Sequence, residues 1–342
     1  MGSPHTPSPP AISVVIPTRN RPESLRQTLA TVASQTTPPG EVLIVDSSDT
    51  SLSTESLRDA FPSLTLSVLR SHAHVCVQRN KGIRQANGSH ILLLDDDIEL
   101  PDRYLEEICA FLGEHPAIGA VSGLITEPLD SGNFDDGSRN LSLSALCSAF
   151  IFQTGVWGDL TTIRAPKGLE GLRRALLAWF RRRGNRFSLG GWPLFTQIQS
   201  PASLTAVYGL GAAVVRKEWL LESPFDESLD PHGIGDNYGV CLGFPGDGGI
   251  SVLTGLAVRH HKSAINRIDP GNAYVLRVKA LARFMRGSPR FSWFHGLFLH
   301  WSLVGRSIVM TVKGELATAK ISITTSWGIL FNKKPWSSSP CL

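Results

Sequence analysis

Residues 90–105, "HILLLDDDIELPDRYL", set three carboxylates, Asp95, Asp96 and Asp97, directly after four apolar residues. Such an apolar run is a buried strand, and a carboxylate left unpaired in a core is costly. The triplet therefore belongs at a strand end that opens on a site. Side chains alternate along an extended chain, so Asp95 and Asp97 are expected on one face and Asp96 on the other. A pair of carboxylates on one face suits a hard cation, which prefers carboxylate and phosphate oxygens, while a solvated acidic turn is the alternative for such a triplet taken alone. Three other places carry comparable chemistry. "EVLIVDSS" (41–48) also ends in a carboxylate, Asp46. "ISVLTGLAVRHHK" (250–262) ends in the doublet His260–His261. "FDESLDPHGIGDNYGVCLGF" (225–244) gathers Asp226, Asp230 and Asp236 in a Gly-containing loop.

The elements that must position these groups alternate in type. "ISVVIPT" (12–18) reads as a strand, and "RPESLRQTLATVASQ" (21–35) as a helix with Pro22 in its first turn. Strands follow at 41–48 and 64–71, then a helix at 78–89 stopped by Gly88, then the strand that ends in the triplet. Strands that alternate with helices require crossovers and so a mainly parallel sheet, whose ligands bind at the carboxyl ends of the strands. Asp46 and the triplet stand at that edge. Residues 126–206 read as Gly-rich and basic loops, 208–220 as loop, strand and helix start, 225–244 as loop before a helix, and 250–262 as a strand. Residues 273–285 and 291–314 are helical in pattern.

In this order, "VVIPTRNRPESLRQTLATVASQ", "EVLIVDSSDT", "RNKGIRQANGSHILLLDDDIEL", "GLGAAVVRKEWL" with "FDESLDPHGIGDN", and "VRHHKS" resemble the family-2 glycosyltransferases over residues 11–265. More narrowly they resemble bacterial cell-surface polysaccharide enzymes such as rhamnosyltransferases. The resemblance implies an α/β fold of GT-A type, with a Rossmann-like, mainly parallel sheet flanked by helices and a C-terminal helical extension. It implies an inverting transfer of sugar from a nucleotide-diphosphate sugar (UDP or dTDP sugar) to a hydroxyl of a glycan or lipid-linked acceptor. The nucleotide-sugar set it implies is Pro17, Thr18, Arg19, Asn20, Asp46, Asn80, Asp95 and Asp96, with Asp46 receiving the ring N–H of the base. The triplet matches the family's DxD motif, so Asp95 and Asp97 would hold a divalent cation, Mg²⁺ or Mn²⁺. His260 or His261, with His261 preferred, would add a ligand. Asp236 of "GIGDN" would be the general base, and Gly209 and Gly211 would line the acceptor and donor-sugar site. The chain departs from the family at "DSSDT", where D-D-G-S-x-D is common, and at Asn237, where a second acidic residue is common.

The chain is 342 residues long with 33 Lys/Arg against 29 Asp/Glu, so it is only mildly basic overall. Eight Lys/Arg are concentrated between Arg164 and Arg186, with Glu170 as the acidic residue among them. "PKGLEGLRRALLAWFRRRGNRF" (166–187) therefore reads as a basic helix with an apolar side, suited to an anionic membrane surface or to packing on the catalytic domain. Residues 291–314 read as an interfacial or partner-facing helix rather than a span. No nucleic-acid module accompanies the arginines. Five scattered cysteines without a CxxC pair point away from a disulfide framework or zinc site and toward a reducing cytosol. The expected organisation is a disordered tail (1–10, with a formal myristoylation pattern and no signal peptide), a GT-A domain (11–265, nucleotide half 11–125, acceptor half 126–265) and a C-terminal helical, membrane-associating region (266–342). The expected location is cytoplasmic, peripheral on the inner face of the membrane. Two other readings share paired aspartates on an α/β sheet. One is a metal-dependent nucleotidyl- or phosphotransferase. The other is a catalytically degraded nucleotide-sugar-binding protein, which Asn237 would allow.

Overall fold

The computed structural model describes residues 11–129, 134–135, 141–209, 211–246 and 249–331. The expected tail at 1–10, Leu210 and the last part of the C-terminal region, 332–342, lie outside the described residues. In chain order the elements are β1 (Ile12–Thr18), α1 (Pro22–Ala33), β2 (Glu41–Asp46), α2 (Thr54–Ala60), β3 (Leu66–Arg70), α3 (Val75–Gln85), β4 (His90–Leu94), β5 (Ile98–Glu99), α4 (Tyr104–Glu114) and β6 (Ala120–Pro128). There follow β7 (Phe134–Asp135), α5 (Leu143–Phe152), β8 (Val156–Trp157), α6 (Glu170–Arg183), β9 (Leu194–Phe195), β10 (Ala202–Leu204), β11 (Ala212–Arg216) and α7 (Lys217–Glu222). The chain continues through α8 (Asp236–Gly243), β12 (Ile250–His260), α9 (Pro270–Gly287), α10 (Trp293–Val312) and α11 (Leu316–Phe331).

Strands β3-β2-β1-β4 form a parallel block, as the alternating pattern requires. All seven residues of β1 are buried, because an inner parallel strand is covered on both faces and so reads as a continuous apolar run. One face packs Val14, Ile16 and Ile44 under α1. The other packs Val15 and Val45 under α3. Beyond β4 the sheet changes direction. β11 runs antiparallel between β4 and β6, and β12 then pairs parallel with β6. The register aligns Thr18 with Asp46 and Asp46 with Arg70, so the carboxyl ends of three strands meet at one edge.

Within 126–206 the basic helix expected at 166–187 forms as α6, and the part expected as loop also contains a helix, α5. α5 and α6 share a core of Leu146, Leu176, Leu177 and Phe180 with Leu194. The C-terminal helices build another core from Val278, Leu281, Leu299 and Leu303, to which α8 contributes Tyr238. α10 lies against α5 closely enough that a Cβ at Gly305 would fall within the ring of Phe152. No described helix is long and apolar enough to cross a membrane.

Candidate active site

The first wall is the turn after β1. Asn20 takes a left-handed backbone (φ 55°), a conformation Asn tolerates better than most residues. Its side chain pairs reciprocally with Asp49: Nδ2 donates to Oδ2 at 2.8 Å, and Oδ1 accepts from the Asp49 N–H at 2.9 Å. Asp49, in the stretch that departs from the family's pattern, thus fastens two loops to each other. Arg19 stands 3.6 Å from the same carboxylate and is half exposed. Pro17 sits within β1 opposite Val45. Asp46 is fully buried and accepts from the N–H groups of Ser48 (2.8 Å) and Leu52 (3.1 Å) and from Arg70 (2.6 Å). Burial would raise its pKa, but these hydrogen bonds outweigh burial and hold it below the usual carboxylate range.

The aspartate triplet differs from its expected arrangement. β4 stops at Leu94, and Asp95–Asp97 form a turn rather than an extended strand, so alternation does not govern them. Each carboxylate has its own set of partners. Asp96 is buried toward the β1 turn, accepting from Thr18 Oγ1 at 2.7 Å and Arg21 at 2.9 Å. Burial pushes it up to about 6, against the pull of Thr18 and Arg21. Asp97 turns toward β12, with His260 Nε2 at 3.3 Å, the Ser263 N–H at 2.9 Å and Arg267 at 3.5 Å. Burial works against ionisation of Asp97, yet the bonds from His260 and Ser263 and the charge of Arg21 keep it below the usual range. His260 is raised to about 9: burial opposes its charge, but bonds to Asp97 and Glu127 prevail. His261 instead places Nε2 2.9 Å from Glu99, so the structure brings His260, the less favoured of the doublet, to the triplet.

Asp95 is joined to Asp236 by one residue that sequence reasoning missed. Arg79 donates to Asp95 Oδ1 at 2.6 Å through one arm of its guanidinium and to Asp236 Oδ2 through the other. Its charge also lies 5.3 Å from the centre of the Phe225 ring. Burial disfavours the Arg79 cation, and Asp236 and Asp95 overcome that and lift its pKa further. Asp236, the first residue of α8, is buried, and burial raises its pKa. Arg79 opposes the rise and Asp95 adds to it. A small cavity here is lined by Arg79, Tyr208, Gly211, Asp236 and Asn237. The Tyr208 hydroxyl, itself buried, has no hydrogen-bond partner among the described residues. Gly211 has φ +90° and donates no side chain; a Cβ there would sit 2.8 Å from Ile98 and 3.4 Å from Asp95 Oδ2. Its carbonyl accepts from the Asp95 N–H at 2.9 Å. Gly209 is tied by its N–H to Ser122 at 3.0 Å.

Asn80 is not brought to this cleft. Its amide donates to the Phe225 carbonyl and Glu227, and accepts from the Phe225 N–H at 3.0 Å. It secures the 225–227 segment, while its neighbour Arg79 enters the site. A signal for Arg79 existed: Cys76, Arg79 and Ile83 recur at helical spacing on the buried side of α3, where a lone arginine requires a partner. The strap after β12 carried no such signal. Ser263, Arg267 and Asn266 fasten it to Asp97 and to the Arg19 carbonyl, and Arg21 donates to the Ile265 carbonyl at 2.9 Å.

Among the described residues, no group of three or more His, Cys, Asp or Glu side chains is arranged to hold a metal ion. Asp97 and His260 face each other, with Asp95 at the head of the same turn. That donor set falls short of a protein cage, and a cation there would have to take its remaining ligands from phosphate oxygens.

Residues 13–162 match the profile of the family described as Glycosyl transferase family 2. Among relatives, the putative teichuronic acid biosynthesis glycosyltransferase TuaG of Bacillus subtilis is 26% identical over 156 residues, covering 40% of this chain and 60% of TuaG. The curated relatives matched are each spanned over only 34–60% of their own length. Among solved structures, S. aureus TarS 1-349 in complex with UDP-GlcNAc has a TM-score of 0.54 at 16% identity, covering 92% of this chain and 79% of that one. The mannosyltransferase PcManGT from Pyrobaculum calidifontis, in complex with GDP-Man and Mn2+, has a TM-score of 0.52 at 13% identity, covering 97% and 90%. The fold of this chain is thus the GT-A type that the sequence implies.

Proposed function

We propose, from the chain's membership of glycosyl transferase family 2 over residues 13–162, that it moves a sugar from a nucleotide-diphosphate sugar to an acceptor hydroxyl, with inversion at the anomeric carbon. The observation that carries this reading is the shared guanidinium of Arg79. It fixes Asp95, at the head of the triplet, and Asp236, beside the small cavity, at one cleft. In the reaction the acceptor oxygen attacks the anomeric carbon, Asp236 takes the hydroxyl proton, and the bond to the diphosphate oxygen breaks with its electron pair. The raised pKa of buried Asp236 suits it to receive that proton near neutral pH.

The turn Pro17–Asn20 and Asp46 form the nucleoside end in this proposal, because they meet at the carboxyl edge of β1 and β2. TarS with UDP-GlcNAc and PcManGT with GDP-Man lend support to a nucleotide-sugar donor. Asp95, Asp97 and His260 would hold a divalent cation, Mg²⁺ or Mn²⁺, which when bound neutralises diphosphate charge. Arg21 and Arg267, both within 4 Å of Asp97, bring further positive charge to the same place. TuaG lends support to a polysaccharide acceptor.

The test is a panel of nucleotide sugars with Mg²⁺ or Mn²⁺, scored for released nucleoside diphosphate and for the anomeric configuration of the product. Asp236→Asn should retain donor binding and lose transfer. Release of pyrophosphate or a phosphorylated acceptor instead would favour nucleotidyl or phosphoryl transfer. Donor binding without turnover that Asp236→Asn leaves unchanged would favour a binding protein.

A further inference from the structure

α10 is a 20-residue helix with three of its sides in use. At 100° per residue, Leu299 and Arg306 face α9, where Arg306 lies 4.3 Å from the centre of the Tyr274 ring. His300 and Ser307 face α11, bonding Ser326 at 3.1 Å and the Ala319 carbonyl at 3.0 Å. Ser302 and Gly305 face Trp192 and Phe152. The remaining arc holds Trp293, Leu297, Trp301, Ile308 and Val312, which are 43–84% exposed and run the length of the helix without a charge among them. The stripe continues onto α5 through Ile151, 54% exposed, whose carbonyl accepts from the Trp301 indole at 2.7 Å. From there Phe150 reaches Trp179 of α6, ring centres 5.1 Å apart. An apolar surface of this extent is normally covered.

The surrounding charge identifies what covers it. Residues 266–331 hold nine Lys/Arg and two acidic residues, and residues 164–186 hold eight and one. The rest of the chain is opposite in sign, with 16 Lys/Arg against 26 Asp/Glu. The exposed stripe on α10 thus lies within one strongly basic segment and leads through α5 to the other, in a chain that is otherwise acidic. A second copy would set like charge against like charge across this face. An anionic lipid surface offers both apolar depth and negative headgroups, and exposed tryptophans suit the boundary between them.

We infer that the α10 stripe, with α5 and the basic α6 beside it, docks the protein on an anionic bilayer. α9 ties this surface to the cleft: Arg283 bonds Asp226 at 2.8 Å, and Val278 and Leu281 pack on Tyr238 of α8, the helix that begins with Asp236. Docking would present the cleft to an acceptor held in the membrane, a consequence that rests on the transferase reading, whereas docking itself does not.

The experiment is co-sedimentation of the full chain with vesicles of equimolar phosphatidylcholine and phosphatidylglycerol, and with phosphatidylcholine alone. Binding is expected to the anionic vesicles, with at least a tenfold weaker affinity in high salt and for Arg181→Glu/Arg182→Glu. Leu297→Asp/Ile308→Asp should abolish sedimentation while leaving the circular dichroism spectrum and any transfer to a soluble acceptor unchanged. Equal binding to both vesicles, no binding, or undiminished binding by the Leu297/Ile308 variant would overturn the inference. So would a dimer in light scattering that this variant converts to monomer, since the face would then belong to a second copy. Sedimentation needs no turnover, so a failure of the transferase reading would be seen separately.

Discussion

Replacing Arg79 by Met keeps the length of the side chain and removes the charge that Asp95 and Asp236 share. The two carboxylates are unequally placed, with side-chain exposures of 28% for Asp95 and 3% for Asp236, so most of the cost falls on Asp236. Leaving one partner of a buried ion pair unpaired costs roughly 3–5 kcal/mol. The cost must depend on pH. Without the guanidinium, the folded-state pKa of Asp236 rises further above its unfolded value of about 4. An acid raised in the folded state loses stability as pH climbs from its unfolded pKa through its folded pKa, at about 1.4 kcal/mol per unit of separation. At pH 4 the folded Asp236 is protonated, and the loss should shrink to about 1 kcal/mol, that of a missing hydrogen bond. Urea titrations followed by tryptophan fluorescence at pH 4 and pH 8 measure both values. Arg79→Met combined with Asp236→Asn should recover most of the pH 8 loss, because the buried charge is then gone. A loss of equal size at both pH values, or no recovery in the double variant, would refute the electrostatic reasoning and leave only a packing defect.

The triplet should separate into two phenotypes. Asp96→Ala leaves the buried Thr18 hydroxyl without its acceptor and takes one of Arg21's partners, and should cost roughly 2–4 kcal/mol in denaturation, whereas Asp97→Ala should chiefly remove release of nucleoside diphosphate. Gly211→Ala, forced to φ +90° with its Cβ against Ile98, should lose about 1–2 kcal/mol in thermal unfolding and weaken donor binding measured by calorimetry. Tyr208→Phe removes a buried hydroxyl that has no hydrogen-bond partner among the described residues, so stability should hold or rise, while KM for donor or acceptor should rise about fivefold if a substrate hydroxyl normally meets it. Treatment with a chelator should lower diphosphate release, and Mg²⁺ or Mn²⁺ should restore it; activity indifferent to both would remove the cation from the proposal.

Much of the fold was legible because parallel strands buried on both faces leave continuous apolar runs. β1, β2 and β4 are such runs, and the carboxylates of Asp46 and the triplet mark where two of them reach the site-bearing edge. α6 was legible from its basic, amphipathic spacing, and α9 and α10 from their helical pattern. The insertion of β11 antiparallel between β4 and β6 was not, since strand order depends on long-range pairing that no local pattern records. Nor was α5, because a short apolar segment reads equally well as loop, strand or helix until its neighbours are known.

The sequence by itself determined which residue types are available for chemistry and near which strand ends they lie. Tertiary structure decided where each one points. Alternation separated Asp96 from Asp95 and Asp97 only on the assumption of an extended strand, and a turn there gives all three different partners. The doublet His260–His261 offered two candidates of identical chemistry, and the pairing of the end of β12 with β5 sent one to Asp97 and the other to Glu99. Arg79 and Asp236 lie 157 positions apart in the chain, and only the packing of α3 beside α8 makes them a pair. A charge can be read from one residue, but its pKa and its partner are set by whatever the fold brings within a few ångströms of it.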